Sequence, residues 1–430
     1  MSAEAHRSVR AVEFGSLLLA VFAVAAAYSV VLPVLPFLVD RLLPGPDAAA
    51  ASWHTGMLSA AYTLALFLFA PLWGRLADRL GSRTVIPAGL AGLGASLLTG
   101  SLVDGLPLLY LARFSDGAFA AAVTPAVMAA IAARAPSDDW RARRIAWASM
   151  SGLAGFLVGP VVGGMAVKLG AILGIGAAGR YGEPFLAAAT LAFAAAGLAA
   201  ICVRNASDRR ASARADGIDA QLASRLLALA FVAAAAIGTF EIASSLRAKQ
   251  SFGLDPYQIG IMFTECSLVM FLVQAVVFSP LVPPSATRWL LAPAFLLMAG
   301  AFALLGRAAD FTTLLLLVAV IAAAAGVIGP TLTFWTSLAA GRRSGSELGR
   351  QTAAAALGQS AGSAAGGLLA GFPGAADLPF LVAGAVLLAG AVASLGLPRP
   401  LPALVGDAAE GSVLSGGTPG SRRFQAGGRR

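Results

Sequence analysis

The chain has 430 residues, of which 58% are hydrophobic and only 12% charged. Soluble domains carry about 25% charged residues, so this supply is half of what a water-solvated surface needs, and an ordinary soluble enzyme is excluded. The net charge of +9 would suit nucleic acid only if it gathered on one soluble face, and it does not.

In chain order the sequence is a succession of apolar windows, each near the 20 or so residues that a membrane-crossing helix needs. Windows 14–39, 48–74, 84–103, 145–167, 184–203, 289–306, 311–341, 351–376 and 378–398 contain no charged residue. Three more are interrupted: 106–133 by Arg113 and Asp116, 222–245 by Arg225 and Glu241, and 256–287 by Glu265. The pattern predicts an all-α integral membrane protein of twelve transmembrane helices. The first window is too long for a signal-peptide core and is read as a retained helix. Residues 204–221 form a hydrophilic cytoplasmic linker between an N-terminal half, 14–203, and a C-terminal half, 222–398. The Gly/Ser/Arg-rich segment 399–430 is predicted to be a disordered cytoplasmic tail. Cys202 and Cys266 both fall in apolar spans, so no disulfide framework is implied.

Arginine and lysine collect in cytoplasmic loops. With the N-terminus inside, 23 of the 30 basic residues fall on the inner segments and tails. A multi-pass protein of the cell membrane with both termini cytoplasmic is therefore expected, and the basic charge is a topology signal.

The halves also echo one another. Gly155, Gly159, Gly163 and Gly164 recur 203 positions later as Gly358, Gly362, Gly366 and Gly367, while Pro125 and Pro71 have counterparts in Pro330 and Pro280 at similar offsets. Glycines four apart line one helix face and let a second backbone approach. Two pseudo-repeated six-helix halves around a central pathway are the architecture of alternating-access transporters.

Between windows 48–74 and 84–103 lies Gly74-Arg75-Leu76-Ala77-Asp78-Arg79-Leu80-Gly81-Ser82-Arg83. Gly74 and Gly81 suit a tight turn, and Asp78 among arginines can latch the cytoplasmic side, with Arg143 or Arg144 as the expected partner. The segment resembles the signature loop of the major facilitator superfamily, departing from it at Ser82, where that family usually has Arg. Gly155-Phe156-Leu157-Val158-Gly159-Pro160-Val161-Val162-Gly163-Gly164 resembles the motif of antiporters in the same superfamily. Leu32-Pro33-Val34-Leu35-Pro36 resembles a further motif of its twelve-helix drug:proton antiporters. The resemblance implies the major facilitator fold and proton-coupled efflux, with Gly74, Asp78, Arg79, Gly81 and Arg83 serving the cytoplasmic gate.

Ionisable groups at membrane depth are costly and mark a pathway or a partner. Arg113 and Asp116 are three apart and share a helix face. They resemble the family's Arg-x-x-Gln-Gly motif with Asp116 in place of Gln. Either Arg113 tunes the proton affinity of a nearby carboxylate, or the two form a self-neutralising pair that lets the helix insert. Glu241 is expected about five residues from the outer end of its helix and Glu265 about nine residues into the next. Together with Asp116 they are candidates for proton exchange and for binding a cationic substrate, although Glu241 is also placed to touch the outer headgroups. Tyr28, Tyr62, Phe240, Gln274, Trp335 and Gln359 are candidates for lining a cavity or for packing, and His54 for an interfacial position.

The chain has no phosphate-binding Gly-x-x-x-x-Gly-Lys-Ser/Thr loop, no nucleophile–base arrangement, and histidines only at positions 6 and 54. It is read as neither an enzyme nor a holder of metal or cofactor. The expected function is secondary active efflux of a small amphiphilic compound, a drug or a metabolite, by a monomer in the lipid bilayer that exchanges it for protons. Proton-coupled uptake of a metabolite is the alternative, and a non-transporting scaffold or sensor would have no use for buried carboxylates.

Overall fold

The computed structural model describes residues 2–134, 138–173, 181–204, 220–277, 287–340, 344–372 and 374–397. Thirteen helices run through them in the order α1 (Ser2–Val31), α2 (Leu35–Leu42), α3 (Ala48–Leu80), α4 (Ser82–Ser101), α5 (Leu106–Ala133), α6 (Asp138–Leu173) and α7 (Glu183–Cys202), then α8 (Ala220–Phe252), α9 (Pro256–Val277), α10 (Thr287–Leu305), α11 (Phe311–Ala340), α12 (Ser344–Ala370) and α13 (Leu378–Leu395). Twelve are long, and ten of those are long and apolar enough to cross a membrane. The other two are α10, whose apolar stretch Trp289–Leu305 is shorter, and α12, which carries Gln351, Ser360 and Ser363 into the protein interior. The predicted tail 399–430 lies outside the described residues, as does the linker apart from Arg204, Ala220 and Gln221.

Three expectations need correction. The window 14–39 is not one helix: the chain turns at residues 32–34 and restarts as α2, because Pro33 and Pro36 each remove an amide donor. Window 48–74 does not close its helix, since α3 runs through Pro71 and on to Leu80. Finally, α8 continues past the predicted end at 245, through Arg247 and Lys249, to Phe252. Charge ends a lipid-facing stretch, but it need not end a helix.

The repeat is visible in the packing. Gly155, Gly159 and Gly163 lay α6 against α1, and a methyl at Gly155 would meet Phe22 O at 2.5 Å. Gly358, Gly362 and Gly366 lay α12 against α8 in the same way, facing Phe231, Ala235 and Thr239. The fourth member of each set turns to the opposite half. A methyl on Gly164 would stand 2.5 Å from Tyr257 Cα on α9, and one on Gly367 would stand 2.7 Å from Gly56 Cα on α3. Adding one methyl at Gly362 drives it into the Ala235 carbonyl. Gly362→Ala should therefore lose about 1–3 kcal/mol from overpacking, seen as a lower melting temperature in detergent. Gly300→Ala, where nothing lies within 4 Å, should melt at or above the wild-type temperature.

The hydrogen bonds joining α1–α7 to α8–α13 cluster between mid-depth and the end of the bundle where α2 lies. Ser360 Oγ donates to Ala60 O at 3.0 Å, Thr264 Oγ1 to Leu157 O at 3.1 Å and Ser267 Oγ to Phe156 O at 3.2 Å. Nearer the end, Gln250 Nε2 donates to Ser52 Oγ at 3.2 Å and Lys249 Nζ to Pro36 O at 2.7 Å. Lys249 also pairs with Asp40 and sits 4.7 Å above the Phe37 ring.

Candidate functional site

Arg113 and Asp116 stand one turn apart on α5 and form a 3.0 Å ion pair, each side chain only 1% exposed. The guanidinium also lies 4.7 Å from the Tyr62 ring centroid and 6.0 Å from that of Tyr28. The two rings are themselves 4.7 Å apart. A desolvated guanidinium gains from ring faces, so α1, α3 and α5 converge on one caged cation. Among the described residues, Arg113 Nε and Asp116 Oδ1 have no hydrogen-bond partner. Removing one member of a buried pair strands the other, at a cost of about 3–5 kcal/mol. Arg113→Met should accordingly lower the unfolding temperature sharply, and Arg113→Met combined with Asp116→Leu should recover most of the loss. Equal melting of the single and double variants would mean that the pair is not what stabilises α5 here.

Next to this cage the two halves touch. Tyr28 on α1 donates its hydroxyl to Glu241 Oε2 on α8 at 2.6 Å. Gln359 on α12 donates Nε2 to Glu241 Oε2 at 3.1 Å and Oε1 at 3.3 Å, and to Tyr28 Oη at 3.2 Å. Ser59 on α3 lies 3.4 Å from the same hydroxyl. Glu241 is only 6% exposed. It stands eleven residues before the end of α8, roughly 16 Å of helix rise, instead of the five residues expected. That depth takes it away from the outer headgroups.

Sequence reasoning singled out Glu241, Tyr28 and Gln359 separately and missed that they form one constellation. The usable signal was the true length of the α8 helix, which sets the depth of Glu241. Glu265 is not part of this network. It lies half-buried on α9 with Oε2 lacking a hydrogen-bond partner among the described residues, one residue from Cys266, whose thiol is within electrostatic reach of both Glu241 and Glu265. Phe240 packs among Phe263 and Phe302, and Trp335 lies fully buried against Phe334, so both belong to the core of the C-terminal half. Gln274 is half-buried on α9. His54 Nδ1 lies 3.0 Å from Tyr110 Oη and so ties α3 to α5, which is more than an interfacial position.

The expected gate loop is shorter than predicted. Gly74 is inside α3, and the turn rests on Gly81 alone, whose φ of 78° favours glycine. Arg75, Arg79 and Arg83 are exposed, while the side chain of Asp78 lies outside the described residues, so its pairing is not part of this description. Arg144 stacks 4.0 Å from the Phe14 ring and 5.2 Å from Trp140. Ser82, the departure from the family pattern, donates to Ala126 O at 3.2 Å and ties the start of α4 to α5.

A sequence model of the Major Facilitator Superfamily matches residues 17–228. Multidrug resistance protein 2 of Bacillus subtilis is 26% identical over 350 residues, covering 78% of this chain and 84% of that protein. The quinolone resistance protein NorA of Staphylococcus aureus is 26% identical over 381 residues, covering 86% and 93%. The chain thus matches the major facilitator superfamily over residues 17–228 and resembles these two resistance proteins over most of its length. Its fold agrees with that of a solved bacterial homolog to the human lysosomal transporter Spinster, in an inward-facing and occupied conformation. That match has a TM-score of 0.69 at 15% identity and covers 96% of this chain and 99% of the other. On these matches, the protein is a multi-pass membrane protein and a secondary transporter.

Proposed function

We propose that this protein exports a small amphiphilic compound in exchange for protons. It works as a monomer in the cell membrane with both termini in the cytoplasm and the α2 end facing out. The observation that carries the reading is the Tyr28–Glu241 hydrogen bond, 2.6 Å long, which joins the two halves through an ionisable group deep in the bundle. A proton carrier at that point changes the contact between halves whenever it is loaded or emptied. Arg113, neutralised by Asp116, holds the rings of Tyr28 and Tyr62 that frame it. Glu265, with an unpartnered carboxylate oxygen, is the group offered to a positive charge on the substrate. The glycines of α6, with Pro160, keep α1 and α6 in register during the exchange, and the segment around Asp78, Arg79, Gly81 and Arg83 serves the cytoplasmic gate. Relatives named for multidrug and quinolone resistance support export over uptake.

The test is purified protein in liposomes loaded with a pH-sensitive dye, with an imposed pH gradient and a panel of amphiphilic cations. Substrate addition should move protons opposite to substrate. Substrate movement with no proton movement would sink the coupling.

A further inference from the structure

An ionised carboxylate only accepts hydrogen bonds, whereas a protonated one must place its own hydrogen on an acceptor. Among the described residues, the hydrogen bonds to the Glu241 carboxylate come from Tyr28 and Gln359, and both partners donate. The pocket as it stands therefore fits the ionised form. Tyr28 has one hydroxyl hydrogen, and it donates that hydrogen to Glu241. The Gln359 amide is different: it carries two donors and an acceptor on one terminal group, and its last torsion is two-fold and soft.

We infer that Gln359 is the positioning residue that reads the protonation of Glu241, its amide turning over so that Oε1 accepts the new carboxylic O–H where Nε2 donated before. The inference rests on Glu241 being the proton carrier, as proposed above. The turn has a consequence across the seam. In the present arrangement Nε2 also donates to Tyr28 Oη at 3.2 Å, which links α12 to α1. With Oε1 facing Tyr28 that bond is lost, because the single hydroxyl hydrogen of Tyr28 stays directed at Glu241. The remaining Tyr28–Glu241 bond then has a neutral acceptor, and charge-assisted bonds are roughly twice as strong as neutral ones. One proton thus removes one hydrogen bond between the halves and weakens another.

The competing acceptor is Tyr28 Oη, which would have to turn its own hydrogen away from Glu241 to Ser59, 3.4 Å off. The remaining charged and titratable groups that face the site are otherwise engaged. On α5, Arg113 and Asp116 are committed to each other. On α3, Tyr62 lies under the Arg113 guanidinium and Ser59 reaches Tyr28. On α9, Cys266 and Glu265 lie beyond hydrogen-bond range of the Glu241 carboxylate.

The experiment is infrared difference spectroscopy between acid and alkaline pH on the full chain in lipid nanodiscs, combined with the pH profile of transport. Wild type should show a protonated-carboxyl C=O band that Glu241→Gln removes. In Gln359→Leu the same band should persist but move to higher wavenumber, because the acid has lost its acceptor. Transport by that variant should also lose most of its pH dependence. Gln359→Met, closer in shape, takes the place of the leucine variant if that one folds poorly. A wild type without the band, or a band that survives in Glu241→Gln, overturns Glu241 as carrier and the role of Gln359 with it. A Glu241 band at the same wavenumber in wild type and Gln359→Leu, with an unchanged pH profile, overturns the role of Gln359 alone.

Discussion

Glu241→Gln should abolish proton-coupled transport while leaving the protein folded and able to bind substrate. The amide has the size of the carboxylic acid, and its oxygen accepts from Tyr28 as Glu241 Oε2 does at 2.6 Å. It has no proton to exchange. Removing a positioned proton-transfer group costs on the order of 100-fold or more, and the same loss is expected for substrate accumulation driven by a pH gradient. Exchange of labelled for unlabelled substrate without a gradient should continue, because it needs the halves to rock but no net proton movement. The sign of the pH effect follows. A substrate that competes with protons for the cavity binds less well as pH falls in wild type, and in Glu241→Gln its affinity becomes flat across the same range. A variant that still accumulates substrate from a pH gradient would remove Glu241 from the mechanism.

Breaking the contact of Lys249 with α2 should open the α2 end of the bundle. Lys249 reaches from α8 to the Pro36 carbonyl at 2.7 Å, to the Asp40 carboxylate and to the Phe37 ring. Asp40 is 49% exposed, so solvent screens the ion pair and it contributes little by itself. The part-buried hydrogen bond and the ring contact add to it. A combined loss of about 1–2 kcal/mol shifts an equilibrium roughly 5–30-fold. Ser52 is fully buried in the same seam and accepts from Gln250. In a background carrying Cys202→Ser and Cys266→Ser, a Ser52→Cys thiol should react with a bulky maleimide faster by about that factor once Lys249→Met, which removes all three contacts, is added. Asp40→Asn, which removes only the screened ion pair, should speed it far less. Labelling that stays slow in Lys249→Met would assign the seal to the glycine contacts alone.

Much of this architecture was legible because close packing leaves periodic marks. The backbone approaches at Gly155 and Gly358 demand small residues at four-residue spacing, and the same demand in each half wrote the offset of 203 into the sequence. Helix ends were read less well. Arg143 and Arg144 belong to α6, and Arg247 and Lys249 to α8, although windows 145–167 and 222–245 stop short of all four. A charged side chain leaves the hydrocarbon while its backbone stays helical. The site was legible as residues and not as pairs. Tyr28 and Glu241 are 213 positions apart, and no period in either helix announces their meeting. Glu241 and Glu265 looked equivalent as intramembrane acids. Their neighbours separate them, since one accepts from two helices and the other keeps a free oxygen.

Where Gly56 on α3 faces Gly367 on α12, and Gly260 on α9 faces Pro160 on α6, main chains meet with no side chain between them. Dispersion attraction loses about a quarter to a half of its depth over a gap of about 0.5–1 Å, so such a contact weakens steeply as the backbones part. A seal of this kind gives up much of its hold over a very short travel and is strongest when fully shut. For a protein powered by a gradient, that steepness favours the shut position and limits the loss of driving force between turnovers.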